Sequence, residues 1–153
     1  MKERIRILIA DDIALDRHVL RASMRRLAPE FEVEEHSEGA TLLSRLLKSK
    51  TPPRLLILDR AFTEDQKKRS RYNYEMISLA HDIRKNFPQL DGMAILIYSR
   101  MCTDEEAAEF SNRYRTQGIW SRPKDVDHQL LVDYIRHVLS RWPRAKPQRR
   151  TRD

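Results

Sequence analysis

Asp11 and Asp12 stand side by side behind the apolar run Ile7–Ala10, and Asp59 closes a second such run, Leu55–Leu58. Ser99 ends a third, Ala94–Tyr98, and Arg122 follows a short fourth stretch, Ile119–Ser121. Carboxylates crowded into one place repel, and some stay protonated unless a cation neutralises them. A hard divalent ion resolves that conflict, and Mg²⁺ takes oxygen ligands, commonly one or two carboxylates together with waters and phosphate oxygens. A carboxylate is also a nucleophile toward phosphorus, giving an acyl phosphate. A hydroxyl and a cation at neighbouring positions would offset the charge of the transferred group. Taken singly, Asp11 or Asp12 reads equally well as a helix cap. The whole set, each member behind an apolar run, points to phosphoryl chemistry.

Such a set converges only if the apolar runs are parallel strands of one sheet. Arg4–Ala10 begins with alternation and becomes continuously apolar, as a strand covered on both faces does. Leu15, Val19, Leu20, Met24 and Leu27 form a helical stripe that Pro29 ends. Phe31–Glu35 alternates as a half-buried strand, and Ser37 is the expected N-cap of a helix carrying Leu42, Leu43, Leu46 and Leu47. After Leu55–Asp59 comes a polar stretch, then a helix with Met76, Ile77, Ala80 and Ile83. Ala94–Ser99 is the fourth strand. The acids Asp104, Glu105 and Glu106 suit the first turn of a fourth helix, and Gly118 suits its end. Ile119–Ser121 is a fifth strand, and the last helix carries Leu130, Leu131, Tyr134, Ile135, Val138 and Leu139 before Pro143. A strand and a helix thus alternate five times, which implies an α/β domain with helices on both faces of a parallel sheet. With the strand order 2-1-3-4-5, the reversal of order lies between strands one and three, where Asp11, Asp12 and Asp59 would meet.

The chain has 153 residues, 40% hydrophobic and 35% charged, with a net charge of +7. One domain is expected over 1–142, with a basic insertion at about 60–74 and a basic, disordered tail over 143–153. The stretch 60–74 carries +3 and the segment 142–153 carries +4, leaving the body electrically balanced. The longest apolar run, Met93–Tyr98, is far short of the roughly 20 residues of a membrane span. The N-terminus lacks a secretory pattern, and the one cysteine, Cys102, precludes an internal disulfide, so a cytoplasmic protein is expected. Three glycines are too few for a phosphate-cradling loop. His18, His36, His81, His128 and His137 show no metal-binding spacing. The basic segments read as solvated surface, with only weak polyelectrolyte binding to nucleic acid expected.

In this combination the sequence resembles a response-regulator receiver domain of two-component signalling. The residues that carry the resemblance are ILIADD (Ile7–Asp12), LLILD (Leu55–Asp59), AILIYS (Ala94–Ser99) and SRP (Ser121–Pro123), and it covers about residues 4–141. The resemblance implies a flavodoxin-like (βα)5 three-layer sandwich and a non-enzymatic switch. Asp59 would accept a phosphoryl group from the phosphohistidine of a histidine kinase or phosphotransfer protein. Asp12 and Asp59 would be direct Mg²⁺ ligands, with Asp11 assisting through water and the backbone carbonyl of Ala61 completing the set. Ser99 would be the switch hydroxyl, and the bond before Pro123 would be cis. With no output domain following, the signal would pass to a downstream protein through the face of the fourth helix, fifth strand and fifth helix, a face that also allows a homodimer.

The sequence departs from the family at three places. The lysine expected before the proline is Arg122, whose planar fork is not equivalent to an ammonium at a phosphoryl site; Lys124, two residues on, is an alternative source of the cation. The aromatic switch position matches Ile119, with Trp120 adjacent. The loop after Asp59 is about ten residues longer than the family's. These departures keep open a second reading, a phosphorylation-independent protein-binding module on the same fold. An aspartyl-nucleophile phosphatase would need a second aspartate two residues after Asp59, where Ala61 stands.

Overall fold

The computed structural model describes residues 3–60, 76–100, 102–124 and 127–143. Five strands, β1 (Ile5–Ala10), β2 (Phe31–His36), β3 (Leu55–Asp59), β4 (Ala94–Ser99) and β5 (Ile119–Pro123), form one parallel sheet in the order β2-β1-β3-β4-β5. Between and after them lie the helices α1 (Ala14–Leu27), α2 (Gly39–Lys48), α3 (Met76–Asn86), α4 (Asp104–Tyr114) and α5 (His128–Arg141). This is the two-sided parallel sheet expected from the alternation of elements, in the flavodoxin-like arrangement that the resemblance implied. The long basic stretch after β3 lies outside the described residues from position 61 to 75, as does the tail from position 144. The ends of the former excursion meet, because the Met76 amide donates to the Arg60 carbonyl at 2.8 Å.

The period of two along each strand splits the core between the faces of the sheet. Ile7, Ile9, Leu55, Ile57, Leu96 and Trp120 pack with Leu20 and Met24 of α1 and with Leu131, Ile135 and Val138 of α5. Leu8, Leu56, Leu58, Ile95, Ile97 and Ile119 pack with Leu42 and Leu46 of α2 and Leu79 and Ile83 of α3. Burial of each such aliphatic side chain stabilises the fold by about 1.5–3 kcal/mol. The consequence for the site is directional: a carboxylate placed after any central strand emerges at one edge of a sheet held rigidly on both sides.

Several local expectations need correction. The second helix takes Glu38, not Ser37, as its N-cap residue, and no side chain caps it. The fourth and fifth are capped: Thr103 and Glu106 form a reciprocal capping box, and Asp127 accepts from the Gln129 and Leu130 amides. The stripe of α1 is only half core. Leu20 and Met24 are buried, but Leu15 and Val19 are 70% and 49% exposed, because the first turns of α1 flank a cavity beside the strand ends instead of lying on the sheet. In α5 Leu130 likewise faces outward, and Val132 joins the core in its place. Among the described residues the cis peptide is Trp142–Pro143, not Arg122–Pro123; β5 runs extended through Pro123, which pairs with Ser99.

Gly118 shows how the far edge is locked. It follows the 3-10 turn Arg115–Gln117 after α4, with φ at 75°, where an L side chain is strained. Its carbonyl accepts from Arg84 at 3.2 Å, and Arg84 also donates to the carbonyls of Leu90 and Met93 while lying 5.1 Å from the centre of the Trp142 ring. A Cβ at position 118 would come within 2.6 Å of that ring. Gly118→Ala is therefore expected to lower stability by about 2–3 kcal/mol, combining left-handed strain with displacement of Trp142. Urea unfolding with a changed midpoint and unchanged slope would show it; an unchanged midpoint would contradict it.

Candidate functional site

Asp11 and Asp12 follow β1 and are 5% and 7% exposed. Asp59 is the last residue of β3, the neighbour of β1, so the strand-order reversal brings all three acids together. One oxygen from each lies within 4.8 Å of the others. Asp11 is fixed on both sides: its Oδ1 accepts from the Ile13 amide at 2.9 Å, and its backbone carbonyl accepts from Arg17 at 2.6 Å. Ser99, at the end of β4, is buried at the same edge.

The cation of the site is Lys124. Its ammonium lies 2.8 Å from Asp11 Oδ2, 3.3 Å from Asp16 Oδ2 and 3.8 Å from Asp59 Oδ1. Its amide donates to the Ser99 carbonyl at 2.8 Å, which ties the end of β5 to the end of β4. Arg122, expected here from its place before Pro123, is elsewhere. Its guanidinium lies 4.8 Å from the centre of the Tyr134 ring of α5. Arg122 is still within β5, level with Tyr98 and Asp59, and its side chain turns onto α5, whereas Lys124 lies beyond the paired strand and turns onto the acids. Ile119, matched to the aromatic switch position, is fully buried in the α2 and α3 core, and Trp120 packs against Trp142 on the other face. Ala61 lies outside the described residues.

Two further residues complete the constellation, and neither was read from the sequence as a site residue. Asp16, in the first turn of α1, bridges Lys124 and Arg100; Arg100, directly after Ser99, reaches both Asp16 oxygens at 2.6 Å. The available signal was the placing of an acid in the first turn of α1, directly after the paired acids Asp11 and Asp12.

Burial, reinforced by the Asp11 charge, pushes the Asp59 carboxyl up to about 7, against the pull of Lys124. Burial opposes the charge on Lys124, but the carboxylates of Asp11, Asp59 and Asp16 outweigh it and hold its pKa above the ordinary lysine value. Among the described residues, Asp11, Asp12 and Asp59 thus carry more negative charge than Lys124 satisfies. Three hard oxygen donors within reach of one another, one of them reluctant to ionise, fit a hard divalent cation of the Mg²⁺ kind.

A cavity of about 470 Å³ opens beside the carboxylates, lined by Asp11, Asp16, Asp59, Arg100 and Lys124 at one end and by Leu15 and Val19 along one wall. No helix among the described residues is long and apolar enough to cross a membrane.

No protein-family model matches the sequence, and no curated protein matches it. The fold, by contrast, is that of response-regulator receiver domains. The chain is similar to the signal receiver domain of a DNA-binding response regulator (merR) from Colwellia psychrerythraea 34H, with 18% identity, a TM-score of 0.65 and coverage of 89% of this chain and 98% of that one. It is similar to the receiver domain of the Francisella response regulator 1452, with 14% identity, a TM-score of 0.66 and coverage of 90% and 98%. The Salmonella typhimurium response regulator RcsB matches with 17% identity and a TM-score of 0.67, over 91% of this chain and 61% of that one. The chain therefore has the receiver fold, with three acids at the strand ends where that fold places ligands.

Proposed function

We propose that the protein is a response regulator of the receiver class, a non-enzymatic cytoplasmic switch that accepts a phosphoryl group on Asp59 from a histidine kinase or phosphotransfer protein. The observation that carries this reading is the convergence of Asp11, Asp12 and Asp59 within 4.8 Å, with Lys124 as the cation beside them. In the transfer an Asp59 oxygen forms a bond to phosphorus while the donor's N–P bond breaks; the departing imidazole keeps the electron pair and takes up a proton. Mg²⁺ held by Asp11, Asp12 and Asp59 would supply charge neutralisation for the carboxylates and the incoming phosphoryl group. Lys124, 3.8 Å from Asp59 before any phosphate arrives, offsets the charge that remains afterwards.

The exposed apolar side chains Leu15 and Val19 of α1, which line the cavity, supply a surface on which a protein donor can seat. Arg122, stacked on Tyr134 between β5 and α5, belongs on this reading to the surface that addresses a downstream protein.

Thermal unfolding tests the metal part. Saturating Mg²⁺ is expected to raise the melting temperature by about 5–10 °C through mass action. Beryllofluoride, a phosphoryl mimic, should raise it further only while Asp59 is present. An Asp12→Ala protein that responds to Mg²⁺ as the wild type does would contradict the placement of the site.

A further inference from the structure

Lys124 is closer to Asp11 and Asp16 than to Asp59: 2.8 and 3.3 Å against 3.8 Å. Arg100 is engaged by the same Asp16 carboxylate, at 2.6 Å to each oxygen. Asp16 therefore gathers two cations that arrive from different strand ends, Arg100 after β4 and Lys124 after β5. Both line the cavity onto which Asp59 opens. Burial works against the Asp16 charge, yet hydrogen bonds from Lys124 and Arg100 hold its carboxyl below the ordinary aspartate value, so Asp16 stays ionised at neutral pH.

If Asp16 lost its charge, Lys124 would keep Asp11 and Asp59 as its carboxylate neighbours, and Arg100, 61% exposed on the same cavity, would be released to turn toward them. Two cations drawn onto Asp11 and Asp59 would compete with a divalent ion for the same oxygens, and at short range in a partly dry site that competition is strong. We propose that Asp16 is a positioning residue that draws Lys124 and Arg100 toward α1, keeping them from closing onto Asp59 and the three-carboxylate pocket open to a divalent cation and a phosphoryl donor. The inference rests on the receiver reading for the identity of that cation as Mg²⁺.

The test is the affinity for Mg²⁺ alone, measured by isothermal titration calorimetry on the wild type, Asp16→Asn, Asp16→Glu, Arg100→Ala and the Asp16→Asn/Arg100→Ala double variant. Asp16 is half-buried on the cavity wall but outside both cores, so these proteins should fold; a circular dichroism melt on each verifies that. Asp16→Asn is expected to weaken Mg²⁺ binding by roughly 5–20-fold, and Asp16→Glu to restore most of it. The distinguishing result is coupling. Arg100→Ala should change affinity by less than about 2-fold when Asp16 is present, but strengthen it by roughly 3–10-fold when Asp16 is Asn. An Arg100→Ala effect of the same size in both backgrounds would mean that Asp16 acts only as one more distant charge, and would overturn the proposal. So would an Asp16→Asn protein that binds Mg²⁺ as the wild type does. Failure of the wild type itself to bind Mg²⁺ would overturn the receiver reading and this inference together, and is told apart by that result.

Discussion

Asp59→Asn should make the metal-free protein more stable at neutral pH while abolishing phosphoryl uptake. In the folded protein the Asp59 carboxyl is raised from 3.8 to about 7, first by burial and then by Asp11. Between those two values the unfolded chain has released the proton and the folded chain still holds it. Stability therefore falls as pH rises from about 4 to about 7, and the full penalty is present above that. Asparagine removes the penalty. Part of the gain is lost again because Lys124 gives up one of its carboxylate neighbours. A net gain of about 2 kcal/mol, or roughly 4–8 °C in melting temperature, is expected near pH 8. The gain should shrink toward pH 4 and be offset in saturating Mg²⁺, which stabilises only the wild type. An Asp59→Asn protein less stable than wild type in metal-free buffer at pH 8 would contradict the crowding of the pocket.

The second large effect separates Lys124 from Arg122. Lys124→Met removes the cation that touches Asp11 and lies nearest Asp59, and should slow phosphoryl incorporation from a small acyl phosphate by roughly 10–100-fold. Arg122→Ala removes a guanidinium stacked on Tyr134, away from the carboxylates, and should change the rate by less than about 3-fold. Arg122→Lys should for the same reason bring no acceleration. A time course in which Arg122→Ala is the slower variant would restore Arg122 to the site.

The fold was legible because every central strand is a mostly apolar run ended by a polar residue, and every helix is followed by a proline or a glycine. The acids were legible for the same reason: Asp11, Asp12 and Asp59 are placed by strand ends, and strand ends are what apolar runs mark. The cation was not. Matching on Pro123 put it at Arg122, but β5 continues through the proline to the sheet edge, and the Arg122 guanidinium turns onto Tyr134 of α5. Two residues on, at about 3.3 Å of rise per residue, Lys124 clears that edge. Leu15 and Val19 fit the helical period yet face a cavity, because periodicity reports a shared face and not what that face meets. Asp16 and Arg100 escaped because their role exists only across elements, between α1 and the end of β4.

The most direct measurement is intact-mass spectrometry of the wild type, Asp59→Asn and Lys124→Met after incubation with Mg²⁺ and a small acyl-phosphate donor. One phosphoryl group should appear on the wild type, only slowly on Lys124→Met, and not at all on Asp59→Asn. Incorporation that survives Asp59→Asn, or a wild type that remains unmodified with Mg²⁺ bound, would contradict Asp59 as the phosphoryl acceptor.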